Sequence, residues 1–293
     1  MIKKFSFIIF SILNFFDKIL IFFTNRSFII WFKDFIEQGS YKKVTLKSAS
    51  AELIFFTPNY LSHWLIKDFY SKEPETIEWI NNFKEDDKKI VFWDIGSNIG
   101  LYSIYAAKTY ENIEVISFEP STNNLRILSR NIYINKLSKK IKIFQLPLGL
   151  QSNTFANFSE SKFIEGASHN SFNYNLDFEG NLFSSTNQYQ IFGTSIANIL
   201  DQKILNIPDY IKIDVDGIEH LILAGADNYL KDRKIKSIQI EVNENYKQQY
   251  DLIMNFMKEN KFFLNYKKRN ENLSIYKNKK FSKIYNYFFE KIN

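Results

Sequence analysis

Hydrophobic and polar positions divide the chain into stretches of different period. Residues 1–35 are far more apolar than the rest of the chain, and Lys4, Ser11, Asn14, Lys18 and Asn25 are spaced by seven, three, four and seven. That spacing puts them on one stripe of a helix whose remaining surface is apolar. An amphipathic helical segment is therefore predicted over residues 1–40, lying in a membrane interface or against a partner, with simple packing on the rest of the chain as the bland alternative. Asp17 and Lys18 interrupt what would otherwise be an uncharged span, and no small-residue cleavage site comes after it. Both features argue against a clean transmembrane helix and a cleaved signal peptide.

From Tyr41 onward, runs of strand character alternate with runs of helical period. YKKVTLKS and AELIFFT predict a hairpin, and SKEPETIEWINNF a helix opening near Ser71 and Pro74, its Glu73 and Glu75 able to reach a cofactor but read in preference as complements to the helix dipole. IVFWDI, IEVISFEP, IKIFQLPLG, YIKIDV and KIKSIQIEVNE read as strands. Between and after them, LYSIYAAK, STNNLRILSRNIYIN, IEHLILAGA and YKQQYDLIMNFMKEN read as helices. Strand and helix in alternation predict an α/β fold with a doubly wound sheet and helices on both faces. KFFLNYKK and NLSIYKN, joined by RNEN, are expected to close the domain as an antiparallel pair. The domain then covers 41–278 and leaves 279–293 as a basic aromatic tail, read either as a packed helix or as a second membrane-facing segment. Residues 151–193, rich in Ser, Asn and Phe without clear period, are expected to be a substrate-facing insertion or lid.

Composition narrows the chemistry. With 45% hydrophobic and 24% charged residues the chain is an ordinary globular protein, and with no cysteine it has no disulfide, thiolate nucleophile or cysteine metal site. The net charge of +6 favours phosphate, nucleic acid or an anionic membrane without choosing among them.

The candidate chemistry sits at strand ends. IVFWDI delivers Asp94 to the carboxyl edge of the sheet, and Gly96 and Gly100 open a turn that lets a ligand approach closely. The spacing GSNIG is not the GxGxxG of dinucleotide enzymes. Glu119 ends the next strand nineteen positions beyond Gly100, where an acid suits the two hydroxyls of a ribose. Asp214 ends YIKIDV with Lys212 on the same side of that strand, which makes Asp214 the leading candidate for chemistry. Asp216 and Glu219 read as caps of the next helix, Glu241 as the tip of the fifth strand, and His169 as a surface residue of the lid in preference to a general base.

These motifs in order, DIGSNIG, SFEP with NLRILSRNIYIN, IKIDVDGIEHLILAGA and IEVNE, resemble the FkbM family of methyltransferases over roughly residues 70 to 265. The resemblance implies a seven-stranded, doubly wound, Rossmann-like class I sheet, bound S-adenosylmethionine, and methylation of a hydroxyl, often on a sugar or a polyketide. Carried over to this chain, Asp94, Gly96, Ser97, Asn98 and Gly100 hold the methionine end of the cofactor, and Glu119 with Pro120 the ribose. Asp214 is then the base or acceptor-orienting group, Glu241 the second candidate, and Asp214, Asp216 and Glu241 a set that could hold magnesium. The family's Leu-Asp pair before the fourth strand is Ile196 and Ala197 here, with Asp201 nearby but out of register. The expectation is an O-methyltransferase of a sugar or cell-surface polysaccharide, cytoplasmic and peripheral at the inner face of the membrane through residues 1–35. A nucleic-acid methyltransferase is the nearest rival, disfavoured because IKIDVDG replaces an Asn or Asp followed by Pro-Pro and an aromatic. A non-catalytic membrane-associated binding protein on the same fold is the reading from another class.

Overall fold

The computed structural model describes residues 1–46, 51–85, 88–182, 185–273, 276 and 278–292. Two helices, α1 (Ile2–Thr24) and α2 (Ile29–Gly39), precede a hairpin of β1 (Tyr41–Thr45) and β2 (Glu52–Phe56). Three short helices come next: α3 (Tyr60–Lys67), α4 (Phe69–Lys72) and α5 (Pro74–Asn81), the last opening on Pro74 as the sequence predicts. Then come β3 (Ile90–Ile95), α6 (Leu101–Thr109), β4 (Ile113–Phe118), α7 (Thr122–Ile134) and β5 (Ile141–Phe144). The 151–193 stretch carries β6 (Thr154–Glu160), β7 (Asn170–Phe172) and β8 (Asn187–Gly193). The remainder is α8 (Ile196–Asp201), β9 (Tyr210–Ile213), α9 (Glu219–Ala224), β10 (Ser237–Asn243), α10 (Lys247–Glu259), β11 (Phe262–Lys268) and β12 (Ile284–Lys291).

Seven strands make one sheet in the order β11-β12-β10-β9-β3-β4-β5. β3 is buried at all six positions because it lies between β4 and β9, parallel to both, and is covered on both faces. Its side chains alternate between two cores: Ile90 and Phe92 pack on one face of the sheet, Val91, Trp93 and Ile95 on the other. From β3 the chain winds outward through β4 and β5, then returns to build β9 and β10 on the opposite side. The crevice at that reversal, beyond the carboxyl ends of β3, β4 and β9, is where an open α/β sheet binds its ligand. The doubly wound seven-stranded sheet is thus as the motifs imply.

Two expectations are corrected. The last strand is not NLSIYKN, part of which falls on residues outside those described. It is β12, from the tail expected to lie outside the domain, inserted antiparallel between β10 and β11. Tyr287, Phe288 and Phe289 are each 1% exposed there, a burial that a loose tail or a membrane-facing helix would forgo. The insertion, read as aperiodic, is a three-stranded antiparallel sheet in the order β7-β6-β8. Its strands are short and face solvent on one side, so their pattern is weak against the polar background.

The NLRILSRNIYIN helix does more than pack. From α7, Asn131 accepts the Phe56 amide at 2.7 Å and donates to the Ile99 carbonyl at 2.9 Å. Asn135 pairs with both the amide and the carbonyl of Ile54, at 2.9 and 2.6 Å. Two side-chain amides therefore take the place of a neighbouring strand along the free edge of β2 and tie it to the loop after β3.

Candidate active site

The loop after β3 is shaped by what lies against it. Gly96 has φ of +84°, and a Cβ there would sit 1.9 Å from the carbonyl oxygen of Asp214 at the end of β9. Only glycine fits, and the two strand ends meet with no side chain between them. The amides of Gly96 and Ser97 both donate to the Phe118 carbonyl at 3.0 Å. Glu119, next in the chain, accepts the Asn98 amide at 2.8 Å on one carboxyl oxygen and the Ser121 amide at 2.8 Å on the other. Burial, with the nearby charge of Glu160 adding to it, pushes the Glu119 carboxyl up to about 8.

A cavity of about 390 Å³ opens beside this loop. Gly96, Ser97, Asn98, Glu119 and Pro120 line one end, with Phe118, Leu146, Phe158 and Phe172 forming apolar wall. Asp94 and Gly100 are not on the wall. Asp94 is fully buried and accepts the Ser103 hydroxyl at 2.6 Å, while its second oxygen has no hydrogen-bond partner among the described residues. Gly100 makes room for Leu128, which a Cβ would approach to 2.6 Å. These two residues hold the loop from beneath.

At the other end charges converge. Lys212, 1% exposed, donates to Asp214 at 2.6 Å, so the strand parity read from the sequence is realised as an ion pair. Lys72 and Glu73 enter from the break between α4 and α5, 3.3 Å apart. Burial opposes ionisation of Glu73, yet Lys72 and Lys212 outweigh it and hold the carboxyl below its ordinary value. Glu241, at the tip of β10, is dominated by the other acids: burial and the charges of Asp214, Asp216 and Glu73 push it well above the ordinary carboxylate range. Glu241 is thus the acid of this group most ready to carry a proton.

Asp216 and His169 form the third feature. Both are non-glycine residues in the left-handed region, with φ of +65° and +63°. Such backbone costs on the order of 1 kcal/mol or more per residue and clusters where surroundings enforce it. Asp216 accepts the His169 amide at 2.6 Å, and its other oxygen lies 3.3 Å from His169 Nδ1. Burial disfavours the imidazolium, but Asp216 overcomes it and raises the imidazole above its ordinary value. Asp216 is no helix cap, and His169, its side chain 42% exposed as a surface residue's would be, also lines the cavity. Glu219 is the first residue of α9, not its cap, and ties the preceding loop by accepting the amides of Val215 and Gly217 at 3.2 Å and the Gln249 side chain at 2.6 Å. Burial pushes it up to about 7.

The 151–193 insertion packs over the end of the cavity lined by Asn98 and Glu119. Asn98 and Asn124 both donate to the Ala167 carbonyl, at 3.1 and 3.2 Å, and the Gly166 amide donates back to Asn124 at 2.8 Å. Phe178 from the insertion and Phe281 stack at 5.0 Å between centroids, with the His169 ring 5.2 Å from Phe178. Sequence reasoning missed Lys72, Tyr102, Phe178 and Phe281 on this wall, and read Glu73 as a dipole complement in preference to a cofactor contact. The one available signal was a Lys-Glu pair directly before a helix-opening proline, where the chain must break. Ile196 and Ala197 begin α8 away from the cavity wall, and Asp201 receives the Tyr229 hydroxyl at 2.6 Å on the surface.

Comparison with known proteins decides what family this geometry belongs to. The model of the methyltransferase FkbM domain matches residues 94–264. The chain belongs to the FkbM methyltransferase family. A curated relative, Methyltransferase sdnD of Sordaria araneosa, is 34% identical over 61 residues, which span 21% of this chain and 24% of the relative. The match thus covers about a quarter of that relative's length. Similar solved structures include precorrin-6y C5,15-methyltransferase from Geobacter metallireducens GS-15, 13% identical, covering 75% of this chain and 87% of that one with a TM-score of 0.42. They also include TrmK of M. capricolum in complex with S-adenosyl-homocysteine, 11% identical, covering 73% and 67% with a TM-score of 0.41.

A methyltransferase family makes S-adenosylmethionine the cofactor against which the cavity must be judged, and the residues fit it. Each Glu119 oxygen holds one backbone amide and keeps a lone pair for a ribose hydroxyl. The apolar walls suit a flat base, and the acidic far end suits a cation. Magnesium is not supported. Among the described residues no group of three histidine or acidic side chains could hold a metal ion. Asp214 is committed to Lys212 and Asp216 to His169.

Proposed function

We propose that the protein transfers the methyl group of S-adenosylmethionine to a hydroxyl of a sugar or glycan. The observation that carries this reading is the acceptor end of the cavity, where the His169–Asp216 pair, the Lys212–Asp214 ion pair and the stacked rings of Phe178 and Phe281 share one wall. Aromatic faces suit the apolar face of a sugar ring, and carboxylates suit its hydroxyls. When bound, the cofactor supplies an already activated methyl group, so the chain's own residues have three tasks. They align the acceptor oxygen, exclude water and take one proton.

Asp214, with one oxygen held by Lys212, orients the acceptor hydroxyl through the other. His169 is the proton acceptor: Asp216 raises its proton affinity, and the Asp216 carboxylate stabilises the imidazolium that forms. Glu241, whose neutral form is favoured by burial and the neighbouring carboxylates, is placed to donate a hydrogen bond to the acceptor. The test is methyl transfer from labelled S-adenosylmethionine to a panel of glycans, free hydroxylated small molecules, and RNA. Label in a base-stable methyl ether of a glycan supports the reading. Label in RNA, or none in any acceptor despite cofactor binding, refutes it.

A further inference from the structure

The N-terminal hairpin is uncovered to a degree that a protein partner does not explain. Phe5, Phe7, Ile8 and Phe10 are 64%, 67%, 56% and 53% exposed. At about 100° per residue these four point to different sides of α1. A partner protein would cover one side of the helix. A lipid phase covers all of them.

The polar groups of α1 are arranged to suit that surrounding. Ser6, Ser11 and Thr24 each donate to the carbonyl four residues earlier, at 3.0, 2.8 and 2.7 Å. Asp17, whose charge argued against membrane burial in the sequence, is 5% exposed. Its oxygens accept the Ser27 hydroxyl at 2.7 Å and the amides of Phe28 and Ile29 at 2.7 and 3.2 Å. The carboxylate is consumed in capping the free amides at the start of α2, so no bare acid faces outward at mid-helix. The 23 residues of α1 span about 35 Å, comparable to the hydrocarbon thickness of a bilayer. Residues 1–36 hold five Lys or Arg against two Asp, one of them the satisfied Asp17. The other end of the hairpin is fixed to the catalytic body, where Glu37 of α2 pairs with Arg126 at 2.6 Å and Arg130 at 2.9 Å on α7.

We propose that α1 and the uncovered side of α2 are immersed in an anionic lipid bilayer and hold the catalytic body at its surface. This does not depend on which acceptor is methylated. The excess of basic side chains favours anionic lipid, and Lys18 reaches the headgroups along its flexible stem.

The test is flotation of the full chain, transferred from detergent into vesicles of phosphatidylcholine alone or with phosphatidylglycerol. The chain should float with both and partition more strongly into the anionic vesicles. A double variant, Phe7→Asp with Phe22→Asp, alters side chains 67% and 83% exposed, so its thermal melt should match the parent. Its partition coefficient should fall on the order of a hundredfold. Three results would overturn the proposal. One is a double variant that floats like the parent. Another is a detergent-free dimer that ignores vesicles, which would assign the surface to a second copy of this chain. The third is an intact mass from cells showing α1 removed, which would make it an export signal.

Discussion

Glu119 should make cofactor binding consume a hydroxide equivalent. Its folded pKa of about 8 leaves about one carboxyl in ten ionised at pH 7. Ribose hydroxyls donate to the ionised form and lower that pKa in the complex, so binding near neutrality releases close to one proton. The dissociation constant of S-adenosylhomocysteine, a ligand without the sulfonium charge, should tighten about tenfold per pH unit between pH 6 and 8, then level off. Over that window the gain is about a hundredfold. Titration calorimetry at pH 7 in two buffers of different ionisation enthalpy reads the proton directly. Glu119→Gln keeps the shape but can no longer accept both the Asn98 and Ser121 amides. Its binding should be weaker and flat with pH. A parent protein with a flat profile, or a Gln variant that keeps the slope, would refute both the ribose assignment and the burial argument beneath it.

His169→Gln and Asp216→Asn should each lower kcat by about 10²- to 10⁴-fold while leaving S-adenosylhomocysteine affinity within a few-fold, measured by steady-state kinetics and calorimetry. The surviving rate should also lose its acid limb, since the titrating imidazole is gone or unsupported. Asn131→Ala strands the buried Phe56 amide and Ile99 carbonyl, and a urea melt should show a loss of about 2–4 kcal/mol. Glu219 has a folded pKa of about 7, above its unfolded value, so its contribution to stability is present below about pH 4.5 and fades as pH rises through 7. The ligand-free denaturation midpoint should fall between pH 5 and 8, and Glu219→Gln should flatten part of that fall.

Much of this architecture could be read from residue order because its determinants are local. A fully buried parallel strand announces itself as a continuous apolar run, as Ile90 to Ile95 does, and the acid and glycines after it mark the crevice. Lys212 and Asp214 share a strand face by parity alone. Other features depend on which distant segments meet. His169 enters the cavity only because Asp216, 47 positions later, takes its amide. Lys72 and Glu73 become part of the acidic cluster only once α4 and α5 fold against Lys212. The tail, read as a packed helix or a membrane-facing segment, supplies the last strand because residues 284–291 find both β10 and β11 as partners.

That last strand has a consequence for synthesis. β12 lies between β10 and β11, so both stand unpaired toward each other until residues 284–291 have left the ribosome. The edge of β10 then waits through the whole of α10 and β11 before it is closed, exposing Ile238, Ile240 and Val242, which end up fully buried. The same closure brings Asn286 to Glu75 at 2.9 Å and to Gln239 at 3.1 Å, joining the helix beside the acidic cluster to the sheet. A nascent chain of this protein therefore cannot assemble its reaction chamber progressively. The chamber is completed only once that strand is in place, and until then the edge of β10 stays open.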